Sequence, residues 1–279
     1  MKLIHISDIH INPEPLFGMD PVLRFQTCMD HVSKHHADAD MVAISGDLTH
    51  HGQRSSYMRL QNMLSDWDMT PHLMIGNHDN RGVFQEIFPQ VETDENDYVQ
   101  YVVDRPEGQF VFLDTVQTGT HAGHFDQERL AWLERHLGDA SSTGKPAYLF
   151  MHHNPADVGV PGADIIGLVP WDGEPFRALI KQYRNTVRHI FFGHCHYILS
   201  GSLYGIPISA PRSTSHNFAP EFTRVDIMGS APFPPTYNVC LISDEAVIVH
   251  SIDFLDEDKI DWIEIDGSGW IEEDVPVEG

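Results

Sequence analysis

Five short clusters in this chain carry side chains able to bind metal ions: Asp8-x-His10, Gly46-Asp47, Gly76-Asn77-His78-Asp79, His152 and Gly193-His194-Cys195-His196. They offer carboxylate, amide and imidazole donors, a mix that suits borderline divalent ions such as Mn²⁺, Fe²⁺, Co²⁺ or Zn²⁺. Cys195 lies between two donors on an extended segment, so its thiol points away and reads as a buried structural group. The donors outnumber the four positions of one tetrahedral ion. A carboxylate can bridge two ions held about 3.5–4 Å apart, so two cations are the expected count.

Each cluster follows a short apolar run. Residues 2–7, 41–45, 72–75, 146–151 and 188–192 read as strands, and residues 21–35, 55–67, 126–137 and 174–184 as helices. In the third helix Leu130, Leu133 and Leu137 recur at helical spacing behind Asp126, which suits an N-cap. Residues 98–103 and 109–114 suggest a strand pair, and 154–170 a Pro/Gly-rich loop. Strands alternating with helices imply crossover units and a largely parallel sheet. Ligands of such sheets gather outside the carboxyl ends of the strands, where these five polar clusters fall. Residues 203–209, 222–227, 237–242 and 246–252 then read as consecutive strands, a second sheet or a β-rich cap.

Composition narrows the partners. The 279 residues carry a formal net charge of −24, which repels polyanions and disfavours a nucleic-acid polymer as substrate. Small anions can still enter a cleft made locally positive by bound metal. Three scattered cysteines give no disulfide framework, and no apolar run is long enough for a membrane span. His5 and Asp8 interrupt the N-terminus too early for a signal-peptide core, so a cytoplasmic enzyme is expected. Residues 253–279 hold eleven acids and one Lys beside Trp262, Ile263, Ile265, Trp270 and Ile271. Residues 1–252 are therefore read as the main domain, with 253–279 as an acidic extension that caps the site or makes a homo-oligomer contact.

The order D-x-H, G-D, G-N-H-D, H, G-H-x-H resembles the calcineurin-like metallophosphoesterase superfamily and spans Asp8 to His196, about two thirds of the chain. Ser7-Asp8-Ile9-His10, Met151-His152-His153-Asn154-Pro155 and Pro211-Arg212-Ser213-Thr214-Ser215-His216 are similar to the class III cyclic-nucleotide phosphodiesterases and their glycerophosphodiesterase relatives. Asn154 departs from the H-H-P of that branch, and His152 is preferred over His153 because it directly follows the strand. The resemblance implies a four-layer α/β/β/α sandwich with two mixed sheets and a β-rich C-terminal extension. It implies Asp8, His10 and His196 on one metal, Asn77, His152 and His194 on the other, and Asp47 between them. His78 would contact the phosphoryl oxygen and protonate the leaving group, with Asp79 orienting it. Asn77, His216 and Arg81 are placed on the substrate side, although Arg81 and Arg212 fit surface ion pairs equally well. His50 and His51 border the pocket or sit exposed. The implied reaction is attack of a metal-bridging hydroxide on a small phosphodiester, a 3′,5′-cyclic nucleotide or a glycerophosphodiester. The rivals are a phosphomonoesterase or protein phosphatase, and a binding protein that keeps the fold without catalysis.

Overall fold

A computed structural model describes residues 1–263 of the chain. Strands β1 (Lys2–Ile6), β2 (Met41–Ser45) and β3 (His72–Met74) pair in parallel, linked by helices α1 (Pro21–His35) and α2 (Arg54–Ser65). In α1 the Asp20 carboxylate accepts from the Val22 and Leu23 amides, and Pro21 takes the first turn, where no N–H is needed. Its residues Phe25, Cys28, Met29 and Val32 recur every three or four positions and are buried, which fastens the helix to the sheet.

Helix α3 (Arg81–Ile87) leads to an antiparallel pair, β4 (Tyr101–Arg105) and β5 (Gly108–Leu113). Next come α4 (Gln127–Thr143), β6 (Ala147–Met151), a single turn α5 (Pro161–Asp164), α6 (Pro170–Gln182) and β7 (Val187–Phe191). Asp126 caps α4 by accepting from the Arg129 amide, as the sequence suggests. The helix runs on to Gly144, which closes it in the left-handed conformation. Strands β8 (Leu199–Leu203), β9 (Ile206–Ala210), β10 (Asn217–Ala219), β11 (Gly229–Ala231), β12 (Thr236–Ile242) and β13 (Val247–Asp253) follow, then a 3-10 turn at Glu257–Lys259.

These strands form a five-stranded sheet in the order β13-β12-β1-β2-β3 and a six-stranded sheet in the order β4-β5-β6-β7-β9-β8. Both are mixed. Leu3, Met41, Ala43 and Met74 of the first sheet face Phe110, Phe112, Phe150 and Phe191 of the second. The rings of Phe112, Phe150 and Phe191 stack at 4.8 and 4.7 Å and form the aromatic part of the interface between the sheets. Helices α1, α2 and α3 cover the other face of the first sheet, and α4 and α6 that of the second. The layers are α/β/β/α, as expected.

Several expected boundaries shift. The single strand read over 203–209 is the β8–β9 hairpin, which turns at Tyr204 and Gly205, both at positive φ. Residues 222–227 form no strand. Phe222, Val225 and Ile227 are exposed in the connection between β10 and β11. Helix α6 begins at Pro170, because Pro is tolerated in a first turn. Strands β12 and β13 build no cap; β12 pairs antiparallel with β1 and extends the first sheet. Strand β13 runs through Asp253, and Phe254 is buried against Tyr237. The expected extension beyond residue 263 lies outside the described residues. Among the described residues no helix is long and apolar enough to cross a membrane.

Candidate metal centre and cleft

The carboxyl ends of β1, β2, β3, β6 and β7 lead directly into the five polar clusters. Adjacent strand ends are tied across this edge. The Asp8 amide donates to the Gly46 carbonyl, the His10 amide to the Asp47 carbonyl and the Gly193 amide to the His152 carbonyl. The chain turns sharply there. Asp8, His10, Asp47, His194 and His196 all hold φ between 45° and 67°, and they are five of the eight non-glycine residues with positive φ among those described. Each such residue costs about 1–2 kcal/mol, and that strain is concentrated at this one edge. Gly76 and Gly193 are required by close approach: a Cβ at Gly76 would collide with Asp47, and one at Gly193 with Ser7.

Two sets of donors result. Asp8, His10, Asp47 and His196 present ligand atoms within 4.8 Å of one another, all buried. His10 Nε2 lies 3.4 Å from Asp47 Oδ2 and 3.1 Å from His196 Nε2, which is 3.3 Å from Asp8 Oδ1. In the second set Asn77 Oδ1 lies 3.0 Å from His152 Nε2 and 2.8 Å from His194 Nδ1. His152 Nε2 is also 3.3 Å from Asp47 Oδ1. Asp47 therefore turns one oxygen to each set.

Backbone carbonyls decide which ring nitrogens are free. His152 Nδ1 donates to the Ser45 carbonyl at 2.8 Å, and His196 Nδ1 to the His216 carbonyl at 2.7 Å. A carbonyl only accepts, so each Nδ1 carries hydrogen and each Nε2 is left for a ligand. His152 Nε2 then faces two oxygen acceptors, Asn77 Oδ1 and Asp47 Oδ1, which calls for positive charge between them. Burial lowers the His152 pKa, but the Asp47 carboxylate, its hydrogen bond and Asp8 push it up to about 9. A proton can fill that role, and a divalent cation would displace it. His194 Nε2 is buried without a hydrogen-bond partner. The residues present fit a pair of cations bound through oxygen and nitrogen.

His153 stands behind this set. Its Nδ1 is 2.7 Å from Thr115 Oγ1 and its Nε2 is 3.2 Å from the His121 carbonyl, so His152 is the neighbour of Asp47. Cys195 is buried, and burial pushes its thiol far above the usual range.

His78 lines the cleft beside His10 and stacks on His50 at 4.9 Å. Its amide donates to Asp47 Oδ1, and its Nδ1 donates to the His50 carbonyl at 2.8 Å. Two expectations need correction here. The Asp79 carboxylate does not bond His78; its oxygens accept from the amides of Leu48, Thr49 and Gly76 and from the Tyr57 hydroxyl. Burial and then Asp47 push its carboxyl up to about 6, against the pull of those donors. Asp79 splints the loops after β2 and β3, and the His50 carbonyl orients His78. Arg81 is likewise committed elsewhere. Its guanidinium grips Asp114 through two bonds of 2.7 and 2.9 Å and donates to the Val116 carbonyl. Arg212 donates to the Pro234 carbonyl and stands 3.7 Å from Asp253.

His216 does face the cleft, 4.5 Å from the His196 ring and stacked on Phe17 at 4.9 Å. His50 borders it and His51 is exposed. Sequence reasoning missed Phe17, Phe218 and His121. Phe17 is exposed at 59% and held at positive φ, Phe218 packs edge-on against it, and His121 Nδ1 is 2.9 Å from Asn77 Nδ2. None sits at a strand end, so no spacing signalled them. With Ile165, Val225 and Met228 these rings form the apolar wall of a cleft of about 540 Å³.

Residues 1–197 match the family model described as calcineurin-like phosphoesterase. A probable cyclic nucleotide phosphodiesterase of Rhodopseudomonas palustris is 30% identical over 259 residues, covering 91% of this chain and 93% of its own. A glycerophosphodiester phosphodiesterase of Enterobacter lignolyticus is 29% identical over 233 residues, 80% of this chain and 82% of that one. A 3′,5′-cyclic adenosine monophosphate phosphodiesterase of Vibrio vulnificus is 25% identical, with 79% of each chain covered. Among solved structures, a dimetal phosphatase from Danio rerio shares the fold at a TM-score of 0.67 and 13% identity, covering 91% of this chain and 96% of that one.

Proposed function

The chain belongs to the calcineurin-like phosphoesterase family and is a phosphoric diester hydrolase, and we propose that it cleaves a small diester, a 3′,5′-cyclic nucleotide ahead of a glycerophosphodiester, with two divalent cations. The observation that carries this reading is Asp47, whose two oxygens face two separate donor sets. Asp8, His10 and His196 would hold one cation, Asn77, His152 and His194 the other, and Asp47 both. Bound there, the pair would supply Lewis acidity to the phosphoryl oxygens and lower the pKa of water from 15.7 to about 7.

The remaining work falls to the chain. Because Nδ1 of His78 is spent on the His50 carbonyl, its Nε2 is the nitrogen available to the cleft. In hydrolysis one P–O bond forms to water and one ester P–O bond breaks. The departing alkoxide needs a proton, and protonated Nε2 of His78 supplies it. Such general acid catalysis typically contributes about 10²–10⁴-fold. A cyclic nucleotide gives one product, a nucleoside monophosphate, because the protonated leaving oxygen stays on the ribose; a glycerophosphodiester gives a monoester and a separate alcohol.

The wall of Phe17, Phe218, Ile165, Val225 and Met228 supports the nucleotide over the glycerol diester. A nucleobase has an apolar face to lay on a ring, and glycerol has none. Base–aromatic stacking is worth about 1–3 kcal/mol. The net charge of −24 supports a small substrate over a polyanion. Turnover of bis(p-nitrophenyl) phosphate against p-nitrophenyl phosphate tests the diester reading, and preference for the monoester would overturn it. Cyclic AMP against a glycerophosphodiester then tests the choice of substrate; equal kcat/KM for the two would remove the argument from the aromatic wall.

A further inference from the structure

A second group of ligating side chains lies outside the cleft. His31 and His35 stand one turn apart at the end of α1, and Glu257 reaches them from the turn that follows β13. We infer that His31, His35 and Glu257 form a further cation site, with zinc as its natural probe, that clasps the segment after β13 to α1. Their ligand atoms lie within 4.8 Å of one another. His35 Nε2 is 2.7 Å from Glu257 Oε1, and His31 Nε2 is 4.0 Å from Glu257 Oε2. Two donors on a zinc ion, each about 2.0–2.2 Å from it, stand roughly 3.3 Å apart, between those two separations. Small rotations of the Glu257 carboxylate would equalise them.

The site is built on its inner side. His31 Nδ1 lies 2.8 Å from the Tyr237 hydroxyl, and Tyr237 is a fully buried residue of β12 that packs on Phe254. With Nδ1–H on that hydroxyl, the Nε2 lone pair faces Glu257, the arrangement in which ligating histidines are usually held. On its outer side the site is open: the side chains of His35 and Glu257 are 33% and 31% exposed, which leaves an entry path and a position for water. Two imidazoles and one carboxylate suit zinc and its neighbours over magnesium or calcium.

Lys34 competes for the same carboxylate, at 2.6 Å from Glu257 Oε1. Its side chain is 63% exposed, so the ammonium is easily displaced into solvent. Glu257 is thus held by a monovalent partner today and would be held more firmly by a divalent one.

The test titrates the full chain, freed of metal, with zinc. The wild type should bind one more zinc per chain than His35→Ala or Glu257→Gln, while all three hydrolyse bis(p-nitrophenyl) phosphate at the same rate. At a zinc concentration one hundred times the Kd, amide exchange across residues 254–260 should slow about 100-fold in the wild type only. Lys34→Gln should tighten the additional site. Equal stoichiometry in wild type and both ligand variants, or exchange indifferent to zinc, would overturn the clasp and leave an ordinary ion pair. Neither readout depends on the cleft reaction.

Discussion

His5 and His152 are equally buried, yet their rings lead opposite lives. His5 lies between the two sheets, edge-on to Phe150 and Phe191, with Nε2 2.8 Å from the Ser45 hydroxyl. Burial, helped by nearby His189, lowers its pKa to about 3. His189 stacks on Phe191 at 4.1 Å and burial lowers it to about 4. Both rings are neutral packing elements. His152 suffers the same burial, but Asp47 and Asp8 outweigh it and push the ring up to about 9. Burial with no carboxylate against the ring leaves His5 and His189 neutral. A carboxylate at one ring nitrogen and a backbone carbonyl at the other hold His152 in the arrangement a metal ligand needs.

The largest effect that sharpens this contrast comes from removing the shared carboxylate. Asp47→Ala should cost kcat/KM about 10³-fold or more, the scale of a ~4 kcal/mol loss when one partner of a buried charged cluster is deleted. It should also reduce the bound metal measured by elemental analysis; full metal content with full turnover would break the comparison. His78→Ala comes next, with kcat lower by about 10²-fold or more and metal content intact. Unchanged kcat would strip His78 of its proton-donor role.

The interior histidines should register in stability instead. The His189 pKa is lower folded than its usual 6.5, so its contribution is fully present above that value and is lost as pH falls toward about 4. The linkage amounts to about 2 kcal/mol between pH 7 and pH 5. Denaturant unfolding of His189→Gln at the two pH values should show that much less acid sensitivity, with turnover at pH 7 unchanged. A wild-type slope in the variant would mean that other groups carry the acid response. The smallest effect belongs to the cleft wall: Phe17→Ala should raise KM for cyclic AMP several-fold, about 1 kcal/mol, and leave turnover of a glycerophosphodiester near wild type. A matching loss on both substrates would make Phe17 a loop support and not a base platform.

The core arrangement was legible because strand ends announce themselves. Apolar runs that stop at Asp8, Asp47, Asn77, His152 and His194 can meet only if the sheets align them. Resemblance places Asp79 beside His78, and Arg81 reads either as a substrate contact or as an ion pair. The structure instead gives Asp79 three backbone amides and a tyrosine hydroxyl, and gives Arg81 a carboxylate 33 residues away. Hydrogen-bond partners over such separations leave no local pattern. Residues 222–227 were misread because an apolar run looks alike whether it enters a sheet or lines a cleft.

By itself the sequence determined the crossover topology and the donor chemistry, since hydrophobic periodicity selects strands and helices and residue type selects the metal class. Tertiary structure alone decided which of nineteen histidines gather at the candidate metal centre, which pack between the sheets and which line the cleft. That choice rests on distances of a few ångströms to carboxylates, carbonyls and rings contributed by remote segments, and no spacing along a chain encodes them.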